Sequence, residues 1–344
     1  MSHHATPLKF LMPGWFAIVM GLCGLALAWH RATPLMGEMA SAGALVVGAL
    51  AALVAAVLAV LSLLRWQRYP QAVAEDLSHP VRHVFVAAMP ISLLLLATVA
   101  TALAGPSLPA KVLWVVGSLW QFGVTVWALA RWLRPNIGGK DGTPFWPSIT
   151  PALFIPVVGN VLPPLAGVTL GFPEWSAAQF GVGLFLWPVA LTLLAVRVGV
   201  SGMWPERLLP TTFITIAPPA VIGLAALQLG APVTLAWVAW GIGLFFLAWS
   251  ASVFKRAISQ PFAVPFWAMS FPLAAFSALT LRLAPGTSGA FQALAMLLLA
   301  LSSLVIAALA LASVKGLLDG TLLAPEPMAM MNVAGATPAE KGAH

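Results

Sequence analysis

Residues 208–229 read LLPTTFITIAPPAVIGLAALQL, an apolar run with two adjacent prolines, Pro218 and Pro219, near its middle. At ~1.5 Å per residue it is long enough to cross a ~30 Å hydrocarbon slab. Its prolines carry a second message. An interior proline removes an i to i−4 hydrogen bond and frees a carbonyl, which tolerates burial in protein or a wet cavity better than contact with acyl chains. The run therefore reads as a membrane span that faces protein rather than lipid.

The rest of the chain repeats the theme. Apolar residues make up 61% of the 344 residues and charged residues only 7%, too few to give a core of this size a polar skin. We count ten spans, at 13–29, 42–64, 84–103, 110–130, 147–170, 176–196, 208–229, 232–254, 262–283 and 287–313. The first follows Lys9 and is read as a retained helix rather than a cleaved leader. The lone cysteine, Cys23, sits in that span as a small hydrophobe.

Loop charge checks the count, because Lys and Arg gather on the cytoplasmic side of short loops. One side carries Lys9, Arg65, Arg68, Arg82, Arg131, Arg134, Lys140, Arg197, Arg207, Lys255, Arg256, Lys315 and Lys341, and the other only Arg31, Lys111 and Arg282. Both termini are expected in the cytoplasm of a multi-pass inner (plasma) membrane protein. The links at 105–109, 171–175, 230–231 and 284–286 are tight, so the spans pair as five helical hairpins in series. The expected organisation is a cytoplasmic segment 1–12, a transmembrane domain 13–315 and a disordered tail 316–344.

Prolines divide the spans into two kinds. Pro90, Pro156, Pro218 with Pro219, and Pro272 fall inside the third, fifth, seventh and ninth, while among the even spans only the sixth has an interior proline, Pro188. The first span has Gly14, Gly21 and Gly24 instead, which allow close helix approach. The odd spans also carry Ser92, Thr98, Asn160, Thr211, Thr212, Thr215, Ser270 and Ser277. We expect one helix of each hairpin to face a shared axis with these polar groups as lining, and its partner to form an outer ring.

No acidic or basic residue interrupts the apolar middle of any span, which weighs against a proton- or sodium-coupled pump and toward a passive pathway. Basic residues at its mouths and inward-pointing amide hydrogens can still favour anions. His79 and His83 have a metal-compatible spacing, but Pro80 between them and the lack of a neighbouring acidic or thiol ligand favour simple solvation; no metal and no cofactor is expected. Glu75 and Asp76 read as weak local salt bridges, and Trp29, Trp66, Trp114, Trp132, Trp146, Trp175 and Trp204 as an interfacial belt. Scattered basic residues argue against a nucleic-acid partner, and no nucleophile elbow or phosphate loop points to an enzyme.

Five motifs in order add a resemblance: PGWFAIVMGL at 13–22, HPVR at 79–82, VVGN at 157–160, IAPP at 216–219 and WAMSFP at 267–272. Together they resemble the tellurite-resistance and dicarboxylate transporter family, which includes bacterial TehA proteins and the plant slow anion channels. The resemblance implies an all-α protomer of ten helices in quasi-fivefold arrangement, the odd helices lining a pore, assembled as a homotrimer whose subunits conduct separately. It also implies a phenylalanine gate on the ninth helix, matched here by Phe271. The long soluble tails of the plant members have no counterpart. The function expected is a channel for small monovalent anions such as chloride or nitrate, with a secondary carrier of C4-dicarboxylate, tellurite or sulfite, or a membrane scaffold or enzyme subunit without a pathway, as rivals.

Overall fold

The computed structural model describes residues 7–133 and 145–324. Every regular element among them is helical. Among the described residues nine helices are long and apolar enough to cross a membrane: α1 (Pro13–Arg31), α2 (Glu38–Arg68), α3 (Arg82–Ala104), α4 (Leu108–Leu133), α6 (Pro173–Ser201), α7 (Glu206–Gln228), α8 (Val233–Ala251), α9 (Val264–Leu283) and α10 (Gly289–Leu318). The fifth apolar segment, α5 (Pro151–Gly167), is shorter. It alternates between 3₁₀ and α turns at Pro151–Leu153, Phe154–Val158, Gly159–Val161 and Pro164–Gly167. Its prolines and Gly159 cannot sustain one continuous α ladder.

Burial separates the helices as the prolines do. In the most apolar windows of α1, α3, α7 and α9, 67, 67, 89 and 83% of residues are buried within the chain; the corresponding shares in α2, α4, α6, α8 and α10 lie between 22 and 39%. The inner segments pack in a closed circuit: α1 touches α3, α3 touches α5, α5 touches α7, α7 touches α9, and α9 returns to α1. Each inner segment also packs on the helix that follows it, α2, α4, α6, α8 or α10. The outer helices turn residues such as Leu53, Phe185, Phe245 and Leu304 outward, surface suited to acyl chains rather than water. The link between each such pair contains one glycine at positive φ: Gly37, Gly105, Gly171, Gly230 and Gly286. A left-handed residue there reverses the chain without Cβ strain.

The prolines work differently from expectation. Every inner segment starts as 3₁₀ helix and becomes α partway: α1 at Ala17, α3 at Ala88, α5 at Phe154, α7 at Ala217 and α9 at Ser270. Pro90, Pro156, Pro219 and Pro272 are each the third residue of the α portion, and Pro218 the second. There, in the first turn, a proline forfeits no α hydrogen bond and its fixed φ starts the helix. They are junction residues between two helical windings rather than kinks in one α-helix. Pro188, which does lie inside a long α-helix, belongs to the outer α6.

Past α10 the chain turns at Gly320 (φ +69°), and the amides of Thr321 and Leu322 donate to the Gly316 carbonyl. Residues 316–324, expected as disordered tail, thus include the end of α10 and its cap; 325–344 lie outside the described residues, as do Arg134, Lys140 and Lys341 of the loop-charge argument.

Candidate functional site: an apolar central cavity and its basic mouth

Side chains three or four apart share one face of a helix, so each inner segment presents a row to the axis. Gly14, Ala17 and Met20 come from α1; Phe85, Ala88 and Ile91 from α3; Ile155, Val158 and Val161 from α5; Ile214, Ala217 and Val221 from α7; Pro265, Ala268 and Phe271 from α9. They enclose a cavity of about 70 Å³ at the level of the 3₁₀-to-α junctions. Phe271 opens the α portion of α9 with Ser270 and Pro272, and its side chain, 9% exposed, forms part of the wall.

Of the residues expected to line or bend the pathway, Gly14, Phe271, Pro218 and Pro272 line this cavity; Gly21, Pro90, Pro156, Pro219 and Asn160 do not. Gly21 serves helix approach, since Ser270 Oγ and Cβ sit where a side chain at 21 would be. Asn160 points away from the axis. Its amide nitrogen donates to Thr125 Oγ1 (2.7 Å) and to the Val157 (3.0 Å) and Pro156 (3.2 Å) carbonyls, and its oxygen accepts from Gln179 Nε2 (3.0 Å). Gln121 Nε2 (2.9 Å) and Thr125 Oγ1 (2.6 Å) also donate to Pro156 O. The network extends through Ser118, which donates to Gln179 Oε1 (2.5 Å) and accepts from Trp175 Nε1 (2.7 Å). In this way α4 and α6 satisfy backbone that the broken α5 cannot satisfy alone.

Most of the expected polar lining is likewise turned inward on its own helices, although the buried Thr212 and Ser277 hydroxyls find no partner among the described residues. Ser92 donates to Ala88 O, Thr98 to Leu94 O, Thr215 to Thr212 O and Ser270 to Trp267 O. A hydroxyl buried without water bonds back to a carbonyl three or four residues earlier, and the wall stays apolar.

At the Lys/Arg-rich end the cavity adjoins a chamber of about 720 Å³, the two sharing Met12, Phe85, Val264 and Pro265. Lys9, Arg65, Arg82 and Arg207 line the chamber, with Glu75, Asp76 and Glu206. Arg82 continues the α3 row, three residues before Phe85. Asp76, from the helix Pro70–Ser78, is 2% exposed and held by Arg65 Nη2 (2.6 Å) and Arg82 Nη1 (2.9 Å), while Arg65 Nε donates to Lys9 O (3.0 Å). Asp76 is thus a buried ion-pair centre and not the weak surface partner its position beside Glu75 suggests. Glu206 is engaged by Arg256 (2.9 Å) and Gln260 (3.0 Å); Lys9 and Arg207 have no carboxylate partner among the described residues.

His79 caps the following turn: its Nδ1 accepts from the amides of Val81 and Arg82, both at 3.1 Å, and burial with the nearby Arg82 charge holds its pKa below the usual imidazole value, against a smaller opposing pull from Asp76. His83 Nδ1 lies 2.9 Å from His79 O. Both histidines are engaged with backbone. Trp114 and Trp204, assigned to an interfacial belt, are instead core residues, 2% exposed; Trp114 stacks on Phe172 and donates to Pro163 O.

Comparison with known proteins now gives this geometry a family. The profile described as voltage-dependent anion channel (SLAC1) matches residues 11–314, which takes in all ten apolar segments. The chain belongs to the SLAC1 family. SLAC1-type relatives include a tellurite resistance protein TehA homolog from Haemophilus influenzae, 26% identical over 78% of this chain and 79% of its own. The S-type anion channel SLAH4 of Arabidopsis thaliana is 26% identical over 77% of this chain and 72% of its own. A sulfite efflux pump, SSU1, of Arthroderma otae is 22% identical over 79% and 81%. The SLAC1 family is one of membrane anion channels and transporters, and the chain is a membrane protein of that kind.

Proposed function

We propose that this protein is an anion channel of the inner membrane that passes small monovalent anions, chloride or nitrate, along the axis of α1, α3, α5, α7 and α9, with Phe271 as its gate. The observation that carries this reading is the cavity itself. It is walled by one apolar row from each inner segment, reaches the basic chamber at one end and has the Phe271 ring in its wall. A narrow apolar constriction blocks ions by excluding water, and an aromatic ring can widen or close it by side-chain torsion with little backbone movement. The basic mouth gathers anions and repels cations. Both termini face the cytoplasm in this reading, which follows from loop charge, and three copies assemble with one pathway each, which follows from the family resemblance. No metal, cofactor or catalytic step enters it.

The test is electrical. In planar bilayers Phe271→Ala is expected to raise anion conductance at least several-fold with the anion-over-cation preference retained; an unchanged current from properly folded protein would refute the gate. The sulfite efflux relative supports a second reading, a carrier of sulfite, tellurite or C4-dicarboxylate. Saturable counterflow in vesicles would favour it, and ohmic unsaturated current the channel.

A further inference from the structure

We infer that Gly24 of α1 is the seat of the Phe271 ring and thereby a positioning residue for the constriction, an inference that rests on the gate reading above. A Cβ added at Gly24 would stand 3.0 Å from Phe271 Cδ2, 3.6 Å from Cε2 and 3.1 Å from Ala274 Cβ. The ring therefore lies against bare α1 backbone. One turn earlier Gly21 receives Ser270 in the same manner, so two glycines three apart on α1 take two consecutive residues of α9. This fixes the height at which α9 presents Phe271 to the axis.

The arrangement has a direction. Phe271 lines the cavity and Gly24 does not, so the ring stands between that glycine and the open space. No room remains behind it. A methyl added at Gly24 meets two neighbours, Ala274 Cβ on the packed body of α9 and the edge of a ring whose other side borders a void. In a close-packed interior the group beside the void yields, and the ring moves inward across a cavity of only about 70 Å³. The absent side chain at 24 thus sets how far Phe271 stands back from the axis.

The experiment is a four-protein cycle: wild type, Gly24→Ala, Phe271→Ala and the double variant, each purified, checked for monodispersity and recorded in planar bilayers. Gly24→Ala is expected to lower single-channel conductance at least threefold when the ring is present and to change nothing in the Phe271→Ala background. Equal reductions in both backgrounds would show an effect through helix packing, and no reduction in either would show that the ring does not respond; each overturns the seat. The gate is judged separately, by whether Phe271→Ala alone raises conductance, so a failure of the gate is told apart from a failure of the seat. Should Gly24→Ala not fold, recovery of folding in the double variant would support the steric pairing, and failure of both would assign the clash to Ala274 and overturn it.

Discussion

Asp76 shows how far one carboxylate can depart from its surroundings in sequence. Glu75 beside it is exposed, whereas Asp76 is enclosed by Arg65 and Arg82 and ties α2, α3 and the segment around Lys9 together. Removing one member of a buried ion network strands the others and costs about 3–5 kcal/mol. Asp76→Asn should therefore lower the thermal midpoint of the purified protein clearly, with Glu75→Gln as a silent control; equal midpoints would disprove the burial argument. His79 adds a pH dependence. Its folded pKa is depressed, so the contribution is complete above the unfolded value of about 6.5 and is lost as pH falls from there through the folded value. The thermal midpoint should fall between pH 7 and pH 5, and His79→Asn, which can still accept the amides of Val81 and Arg82, should flatten that fall. None of this was legible in the text of the chain, because a loop's adjacent acids and histidines carry no mark of which one the fold encloses.

At the level of elements, the identity of the inner segments was legible and their winding was not. Prolines in odd spans picked out α3, α5, α7 and α9, where they stand at the change from 3₁₀ to α winding, and Gly14, Gly21 and Gly24 picked out α1, where bare backbone lets helices approach closely; Pro188, exposed on the outer α6, shows that a proline alone does not mark an inner segment. Which face of each segment meets the axis was hidden, since a helix buried on all sides is apolar all round and has no polar stripe to read. Asn160 is the instructive case: in sequence it looked like lining, and in the fold it braces α5 against α4 and α6. Asn160→Ala removes the bonds it makes to Thr125 and Gln179, at about 1–3 kcal/mol for each buried polar group left unpaired. The variant should unfold at lower temperature yet keep the wild-type chloride-to-nitrate permeability ratio. A shifted ratio in bi-ionic recordings would return Asn160 to the pathway wall.

On the scale of the whole molecule, charge and apolarity are separated along one axis. The closed circuit of inner segments holds an apolar cavity, and Lys9, Arg65, Arg82 and Arg207 with three acids line the chamber at its end. Such an arrangement divides labour: the cavity decides whether anything passes, and the chamber decides how many anions wait to pass. The second part is testable without touching the constriction. Two of the chamber's three acids are engaged by Arg65, Arg82, Arg256 and Gln260, leaving Lys9 and Arg207 as cations without a carboxylate partner among the described residues. Their field reaches the cavity mouth only as far as salt allows, about 30 Å at 0.01 M and about 3 Å at 1 M. Arg207→Gln should therefore reduce single-channel anion conductance about twofold or more in dilute salt and leave it near wild type at 1 M, while Lys111→Gln, at an exposed lysine outside the chamber, should not lower it at either concentration. A reduction from Arg207→Gln that persisted undiminished in 1 M salt would mean that Arg207 acts by contact or by folding, and the division between a charged antechamber and an uncharged constriction would have to be abandoned.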